Sequence, residues 1–316
     1  MRAAYASAIN FDDPLAGLTV GDAPEPVQVA DDWVTVEVRA SSLNHHDLWS
    51  LRGVGLPADR LPMILGCDAA GVDEDGNEVV LFPVLIDPAD PKGFSMLSEN
   101  HPGTLAERVA VPRANLVPKP ASVSFTDAAC LPTAWLTAYH MLAAKGRVAG
   151  ADAVLVQGAG GGVATAAVLL AVAMGKRVYA TSRDPGKRER IAALGAIALE
   201  PGARLPERVQ VVIETVGAAT FDHSMKCSAP GGRIVVSGTT AGHLTTVDLR
   251  RVFALQLEIL GSSMGTSDEL AALVDLVANG VRPIVDEVFG FSDVRAAFEK
   301  LHRGDIFGKI VLDHTR

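Results

Sequence analysis

Ser41 to Gly53 reads SSLNHHDLWSLRG and sets two histidines and an aspartate side by side. Imidazoles and carboxylates are the groups that bind metal ions or carry protons near neutral pH. The same stretch also carries the marks of a helix start. Asn44 suits an N-cap, and Asp47 falls three residues on, where a capping-box acid sits. Leu43 and Leu48 have the spacing of a hydrophobic staple, and Gly53 can close the helix. That accounts for Asn44 and Asp47 locally, but not for His45 and His46. A metal site, a proton relay and a plain helix start all stay open on these residues alone.

A second chemistry lies in VLVQGAGGGVATAA, Val154 to Ala167, with four glycines in the five positions 158–162. A buried strand runs into the glycines, and the glycines run into a helix. Glycine lets the backbone approach a pyrophosphate, and the helix N-terminus offers it unpaired N–H groups and a partial positive charge. Ala159, Gly160, Gly161, Gly162 and Val163 are expected there. The following strand ends in ATSRDPGKRER. An NAD site wants an acid at that end; Ser182 and Arg183 stand in its place, and Asp184 comes two residues late. A hydroxyl, a guanidinium and the nearby Lys187 suit a 2′-phosphate, which favours NADP(H). Two later strands end in IETVG and VSGTTAG, so Thr215, Gly217, Ser237 and Gly238 are expected to line the cofactor.

The elements that must position these groups are legible from periodicity. The first third is strand-like: WVTVEVRA alternates apolar and polar, and NEVVLF and AERVAVP read as short strands between Pro and Gly turns. Leu85 to Gly103 is polar and turn-rich, a surface loop and candidate lid. From Ser122 strands and helices alternate: AVLVQ, an apolar helix to Met174, RVYATS, PGKRERIAALG, VQVVIETVG, GRIVVSG and LEILGSS. That rhythm implies a parallel sheet with right-handed crossovers. SDELAALVDLVANG is a helix read as starting on a Ser cap and closing on Gly280. The tail, Val285 to Arg316, is mixed and ends in the strand-like GKIVL.

Length and charge bound the rest. The 316 residues, 48% of them hydrophobic, can bury two cores. A formal charge of −9 without basic clusters argues against nucleic acid or an anionic membrane as partner. The most apolar run, Gly162 to Gly175, is shorter than the roughly 20 residues that span a bilayer. The N-terminal stretch has no apolar core of signal-peptide length, so a cytoplasmic protein is expected. The three cysteines, Cys67, Cys130 and Cys227, form no CxxC, so no cysteine-rich zinc lobe is available.

LNHHDLWSLRG, LPMILGCDAAG, GTLAERVAVP, AACLPTAWLTAY, VQGAGGGVATAA, IETVG, GGRIVVSG and FGKIVL follow one another in order. In that order they resemble the medium-chain dehydrogenase/reductase superfamily, and within it the zinc-independent quinone oxidoreductase-like branch. The resemblance implies an α/β protein with a GroES-like β-rich catalytic domain, residues 1–121 completed by 283–316. A Rossmann doubly wound parallel-sheet domain, residues 122–282, is inserted between them. It implies an active site in the cleft and a homodimer paired along its last Rossmann strands, around Leu257 to Ser262. The superfamily's zinc enzymes hold the metal with Cys, His and Cys. Those positions fall here at Asn44, at Cys67 and near Thr133, so no catalytic metal is expected. The remaining route to a metal is an unusual set drawn from His45, His46, Cys67 and Asp68. The usual last glycine of the loop is Ala164, which helix packing tolerates.

Without a Lewis acid, alcohol oxidation lacks its usual alkoxide stabiliser. Reducing a quinone or an α,β-unsaturated carbonyl asks only for a hydride, hydrogen-bond donors at the oxygen and a proton. Asn44, His46, Asp47 and Thr137 are the candidate catalytic residues, with Asp47 also explained as a cap. The resemblance gives His46 a position that starts a proton relay, and His45 one beside the cofactor phosphates. Phe307 and Lys309 fall in a segment that approaches the cofactor. An alcohol or aldehyde dehydrogenase with an altered metal site, and a catalytically silent nucleotide-binding protein, are the alternatives.

Overall fold

The computed structural model describes residues 1–87, 90 and 93–316. The chain divides into two compact units: Met1–Thr133 together with Leu270–Arg316, and Ala134–Glu269. Among the described residues no helix is long and apolar enough to cross a membrane.

The first unit opens with β1 (Arg2–Ala6), β2 (Leu18–Asp22) and β3 (Trp33–Ser42), then helix α1 (His45–Leu51). Seven short strands follow: β4 (Met63–Ile64), β5 (Asp68–Asp73), β6 (Glu78–Leu81), β7 (Val84–Ile86), β8 (Phe94–Met96), β9 (Arg108–Pro112) and β10 (Leu116–Pro118). A four-residue helix, α2 (Phe125–Ala128), closes this stretch. In the second unit, α3 (Leu136–His140) leads to β11 (Ala153–Val156), α4 (Gly162–Ala173), β12 (Arg177–Thr181), α5 (Pro185–Ala193), β13 (Ile197–Leu199), β14 (Val209–Glu214), α6 (Phe221–Cys227), β15 (Ser228–Val236), α7 (Leu249–Leu255) and β16 (Glu258–Gly261). Helix α8 (Ser267–Ala278) carries the chain back, and β17 (Val285–Gly290), α9 (Val294–Arg303) and β18 (Lys309–Asp313) complete the first unit.

The alternation of β3 places Val34, Val36, Val38 and Ala40 on its buried face. It is the hub of the larger sheet, ordered β10-β6-β5-β3-β18-β17, with β9 paired to its first half. β18 lies antiparallel to β3, Val311 opposite Ser42, so the last strand of the chain packs on the third. β17 and β18 are parallel, and α9 joins them. That helix buries Val294, Ala297, Phe298 and Leu301, an i, i+3, i+4, i+7 stripe, and ends on Gly304 at φ +73°. The stripe packs with Leu43, Leu48, Leu51, Ile310 and Leu312, which is the core on which α1 rests.

The second unit is a six-stranded parallel sheet in the order β13-β12-β11-β14-β15-β16. This is the doubly wound order, reversing between β11 and β14, and ligands bind at the carboxyl ends of strands at such a switch point. β11 reads as an unbroken apolar run, and β14 carries Val211, Val212 and Ile213 at its centre, because helices cover both faces.

Three details differ from the sequence reading. The segment read as a lid contains the hairpin β7–β8, and residues 88, 89, 91 and 92 lie outside the described residues. β13, only three residues long, carried no periodic signal. The cap of α8 is Thr266, not Ser267: Glu269 N donates to Thr266 Oγ1 at 3.2 Å, and Thr266 N donates to Glu269 Oε2 at 2.8 Å.

Candidate active site

The dinucleotide features all gather at the carboxyl ends of the second unit's strands. Gly158 sits at φ +70° and Gly160 at φ +141°, conformations that side chains resist. A Cβ on Gly158 would lie 2.3 Å from Val216, so this loop is pressed against the turn after β14. Gly161 is different. Its φ of −80° is ordinary, and a Cβ there would meet nothing within 4 Å. Neither backbone nor neighbours call for glycine at Gly161, but a phosphate approaching the N-terminus of α4 would. Gly162 and Val163 open that helix half-exposed, and Ala159 is tied by its N–H to Thr181 O at 2.7 Å.

The other residues expected at the cofactor lie as follows. Lys187 lies over Gly160, where a Cβ would come within 3.0 Å of its Cδ. Ser182 is buried at the end of β12, and Arg183 is exposed beside it. Asp184 is explained as the cap of α5, accepting from Lys187 N at 3.0 Å. Thr215 Oγ1 donates to Gln157 O at 3.2 Å, and Gly217 turns at φ +90°. Ser237 N donates to Glu214 O, and a Cβ on Gly238 would strike Thr215 O at 2.8 Å. Thr137, a candidate catalytic residue, is buried on α3 with its hydroxyl 3.9 Å from Met264 Sδ.

The histidine pair belongs to the first unit. Asn44 takes the extended conformation of an N-cap, and Asp47 Oδ2 accepts its N–H at 2.8 Å. The other carboxylate oxygen accepts from Gly66 N at 3.1 Å. Asp47 is fully enclosed, and burial pushes its pKa up to about 6. The residue put forward as catalytic is thus held as the bolt between α1 and the turn before β5.

The side chain of Asn44 faces away from its own helix. Its Nδ2 donates to Asp68 Oδ2 at 2.8 Å, and its Oδ1 accepts from Lys309 Nζ at 2.7 Å. Lys309 Nζ also donates to Asp68 Oδ2 at 3.0 Å and to Leu43 O at 2.8 Å. All three ammonium protons are therefore committed inside the unit, and the lysine side chain is 2% exposed. This replaces the expected cofactor contact of Lys309 with a buried ion pair. Phe307, two residues earlier, is likewise buried, with its N–H on Asp286 Oδ1 at 3.2 Å.

His46 lies between two partners. One ring nitrogen, Nδ1, is 3.4 Å from Cys67 Sγ, and the other, Nε2, is 3.2 Å from Glu99 Oε1. Burial opposes its charged form, but Cys67, Glu99 and Asp47 overcome that and hold its pKa well above the usual imidazole value. Burial also raises the Cys67 thiol, whose Sγ donates to Leu97 O at 3.2 Å. His45 points outward beside Trp49, over which the Arg52 guanidinium stacks at 5.1 Å. Loss of water around the His45 ring lowers its pKa, and the positive charges of Lys309 and Arg52 lower it further. Glu99 had no local signal in the sequence: it stands 53 residues from His46, in a segment read as loop.

The three zinc-ligand positions fail a fit test on this geometry. The Asn44 amide and Asp68 Oδ2 are engaged with the buried Lys309 ammonium, and a cation beside them would meet its charge. The Cys67 thiol is spent on a backbone carbonyl, and Thr133 offers a hydroxyl. A different donor set does exist beside them: one atom each of His46, Asp47 and Cys67 lie within 4.8 Å of one another.

Residues 30–121 match the family model of the alcohol dehydrogenase GroES-like domain, and residues 186–312 that of the zinc-binding dehydrogenases. A zinc-type alcohol dehydrogenase-like protein of Schizosaccharomyces pombe is 30% identical, over 88% of this chain and 90% of its own. An acryloyl-coenzyme A reductase of Sulfurisphaera tokodaii is 25% identical, over 96% of this chain and 99% of its own. The crystal structure of an NAD-dependent alcohol dehydrogenase superposes with a TM-score of 0.89 at 33% identity, covering 99% of both chains. With the doubly wound order, the glycine loop and the GroES-like half, these matches make the chain a member of the medium-chain dehydrogenase/reductase superfamily of oxidoreductases.

Proposed function

We propose that this chain is an NADPH-dependent reductase of a quinone or an α,β-unsaturated carbonyl compound, working without catalytic zinc. The observation that carries the reading is the Asn44–Asp68–Lys309 constellation, which closes the zinc position with an ammonium ion. NADPH supplies the hydride, which adds to the β-carbon of the substrate. The α4 N-terminus and Gly161 receive the pyrophosphate, and Arg183, Ser182 and Lys187 receive the 2′-phosphate. His46, held charged near neutral pH, gives up the proton that completes the reduction. Glu99 fixes the ring and stabilises its charge. The acryloyl-coenzyme A reductase among the relatives works on an activated double bond of this kind by name.

The chain is proposed to act as a homodimer in the cytoplasm. β16 is the edge of its sheet with Ile259 41% exposed, and α7 buries none of its residues while Leu249 and Phe253 are more than 70% exposed. A second copy pairing along β16 would cover that surface. Three unpaired, buried thiols suit a reducing compartment.

The grouping of His46, Asp47 and Cys67 favours a second reading, an alcohol or aldehyde dehydrogenase with an altered metal site. One preparation separates the two. Purified protein assayed with NADPH against enals, a benzoquinone and simple aldehydes should reduce the first two, keep its activity in chelator and sediment as a dimer. Stoichiometric zinc with alcohol oxidation would replace the reading by the second. Tight NADPH binding without turnover would leave a silent nucleotide-binding protein.

A further inference from the structure

Glu214, the last residue of β14, is fully buried, and its carboxylate is filled from four sides. Oε1 accepts from Val216 N at 2.9 Å, Gly217 N at 3.0 Å and Thr220 Oγ1 at 2.8 Å. Oε2 accepts from Ser224 Oγ at 2.6 Å. Ser224 in turn accepts from Gln157 Nε2 at 3.0 Å, Gln157 Oε1 accepts from Thr181 Oγ1 at 2.7 Å, and Thr181 Oγ1 accepts from Gly158 N at 3.2 Å. Gln157, Thr181 and Ser224 are also fully buried.

The donors run one way. Gly158 gives to Thr181, Thr181 to Gln157, Gln157 to Ser224 and Ser224 to Glu214. Each hydroxyl that accepts a proton donates its own onward, which fixes the Gln157 amide with its oxygen toward Thr181. His223 Nδ1, 2.9 Å from Gln157 Nε2, must then accept, and its Nε2 reaches Ala203 O at 2.8 Å. A one-way chain strengthens each of its bonds by polarisation, and ending on a carboxylate strengthens it further.

The chain also joins separate segments. Its first member is the glycine loop, its second the end of β12 beside Ser182 and Arg183, and its last the turn after β14. Gly158 and Val216 touch across the strand ends, and the 238–242 loop is hung on that turn: Ala241 N donates to Val216 O at 2.8 Å, and Ala218 N to Gly242 O at 2.9 Å.

We propose that Glu214 and Gln157 are positioning residues that hold these loops in the one arrangement that accepts a dinucleotide. The assignment rests on the NADPH reading above. No residue of the network need touch the cofactor for this to hold.

The test uses the full-length protein with NADPH and NADH as probes, read by cofactor fluorescence, together with amide hydrogen exchange. Thr181→Val keeps the shape and removes one hydroxyl. It should raise the Kd of both cofactors by about fivefold, whereas Thr181→Ser should stay within about twofold of the parent. Glu214→Gln faces its donors with an NH2 group and should weaken both by roughly tenfold or more. An equal loss for NADPH and NADH marks a displaced pyrophosphate loop, unlike a lost 2′-phosphate contact. Exchange at Val216 and Gly217, which lie four hydrogen bonds along the chain from the altered hydroxyl, should quicken in Thr181→Val while the rest of the sheet stays protected. Parent affinity in both folded variants, or unchanged exchange at Val216 and Gly217, overturns the proposal. If Glu214→Gln does not fold, Thr181→Val decides alone. A parent protein that binds neither cofactor ends the NADPH reading, and the exchange result then judges the network by itself.

Discussion

Each unit hides a carboxylate from water, and the two are satisfied by opposite means. Asp68 in the first unit meets a full positive charge on Lys309, with Asn44 and Ser42 Oγ completing Oδ2. Its second oxygen, Oδ1, is buried with no hydrogen-bond partner. Glu214 in the second unit meets no cation in its hydrogen bonds, only two N–H groups and two hydroxyls, spread over both oxygens. A charge answered by a charge is an all-or-nothing arrangement, because removing either partner strands the other in a medium of low dielectric. A charge answered by dipoles from several segments fails by degrees, and what loosens is the placement of those segments. On the readings proposed above, the first arrangement would close a metal position and the second would keep a cofactor site in shape.

Breaking the charged arrangement should have the largest effect. Lys309→Met is expected to destabilise the first unit by about 3–5 kcal/mol in urea denaturation, because Asp68 is left uncompensated. Adding Asp68→Asn should recover much of that loss. A single-variant cost below about 1 kcal/mol would mean that the contrast with Glu214 is false.

The same opposition of charge and dipole reappears at the cofactor. Arg183→Ala is expected to weaken NADPH by roughly thirtyfold, near 2 kcal/mol, and to leave NADH almost unchanged. On the proposed reading the glycine loop would serve both cofactors with dipoles, and Arg183 would serve the 2′-phosphate with charge. Equal losses in a titration of the two cofactors would remove Arg183 from the phosphate.

The smallest effect sharpens the comparison with a group that has support at only one of its two polar atoms. His314 has Ser41 Oγ at 2.8 Å on Nε2 and the Phe291 ring at 4.3 Å, while its Nδ1 is buried without a partner. Burial lowers its pKa to about 4. The unfolded chain takes up this proton near pH 6.5 and the folded chain only near pH 4. Its share of stability is therefore complete above pH 6.5 and is lost as pH falls toward 4, on the order of 1.5 kcal/mol after solvent screening. His314→Gln should flatten stability across that window in acid-dependent unfolding, and an unaltered slope would assign the loss elsewhere.

What could be read from the sequence follows the range of the interactions. β11, α4, β12, α5 and β14 announce themselves within a dozen residues each, by apolar runs, by Asp184 as a cap and by glycines that end helices. The glycine loop is legible for the same reason. The α1 cap was legible too, since Asn44 and Asp47 are three residues apart. Lys309 was misplaced because its partners, Asn44 and Asp68, lie 265 and 241 residues away. Glu99 was invisible because nothing near it in the chain is periodic, and Glu214 because a buried acid at a strand end looks like any other until its donors are seen. The β7–β8 hairpin was hidden among Pro, Asp and Gly, which mask a three-residue strand.

The pairing of β18 with β3 carries a consequence for how the molecule is made. Synthesis runs from the N-terminus, and the second unit, Ala134–Glu269, is an uninterrupted stretch whose sheet is complete once β16 has emerged. The first unit enjoys no such independence. Its central strand waits for a neighbour almost three hundred residues downstream, and Asp68 waits for Lys309. Until Lys309 and β18 have been made, β3 lacks one neighbour and Asp68 lacks its ammonium partner. Any ribosomal stall or truncation before Lys309 yields a chain in that state, and this is the intermediate a chaperone would have to shield.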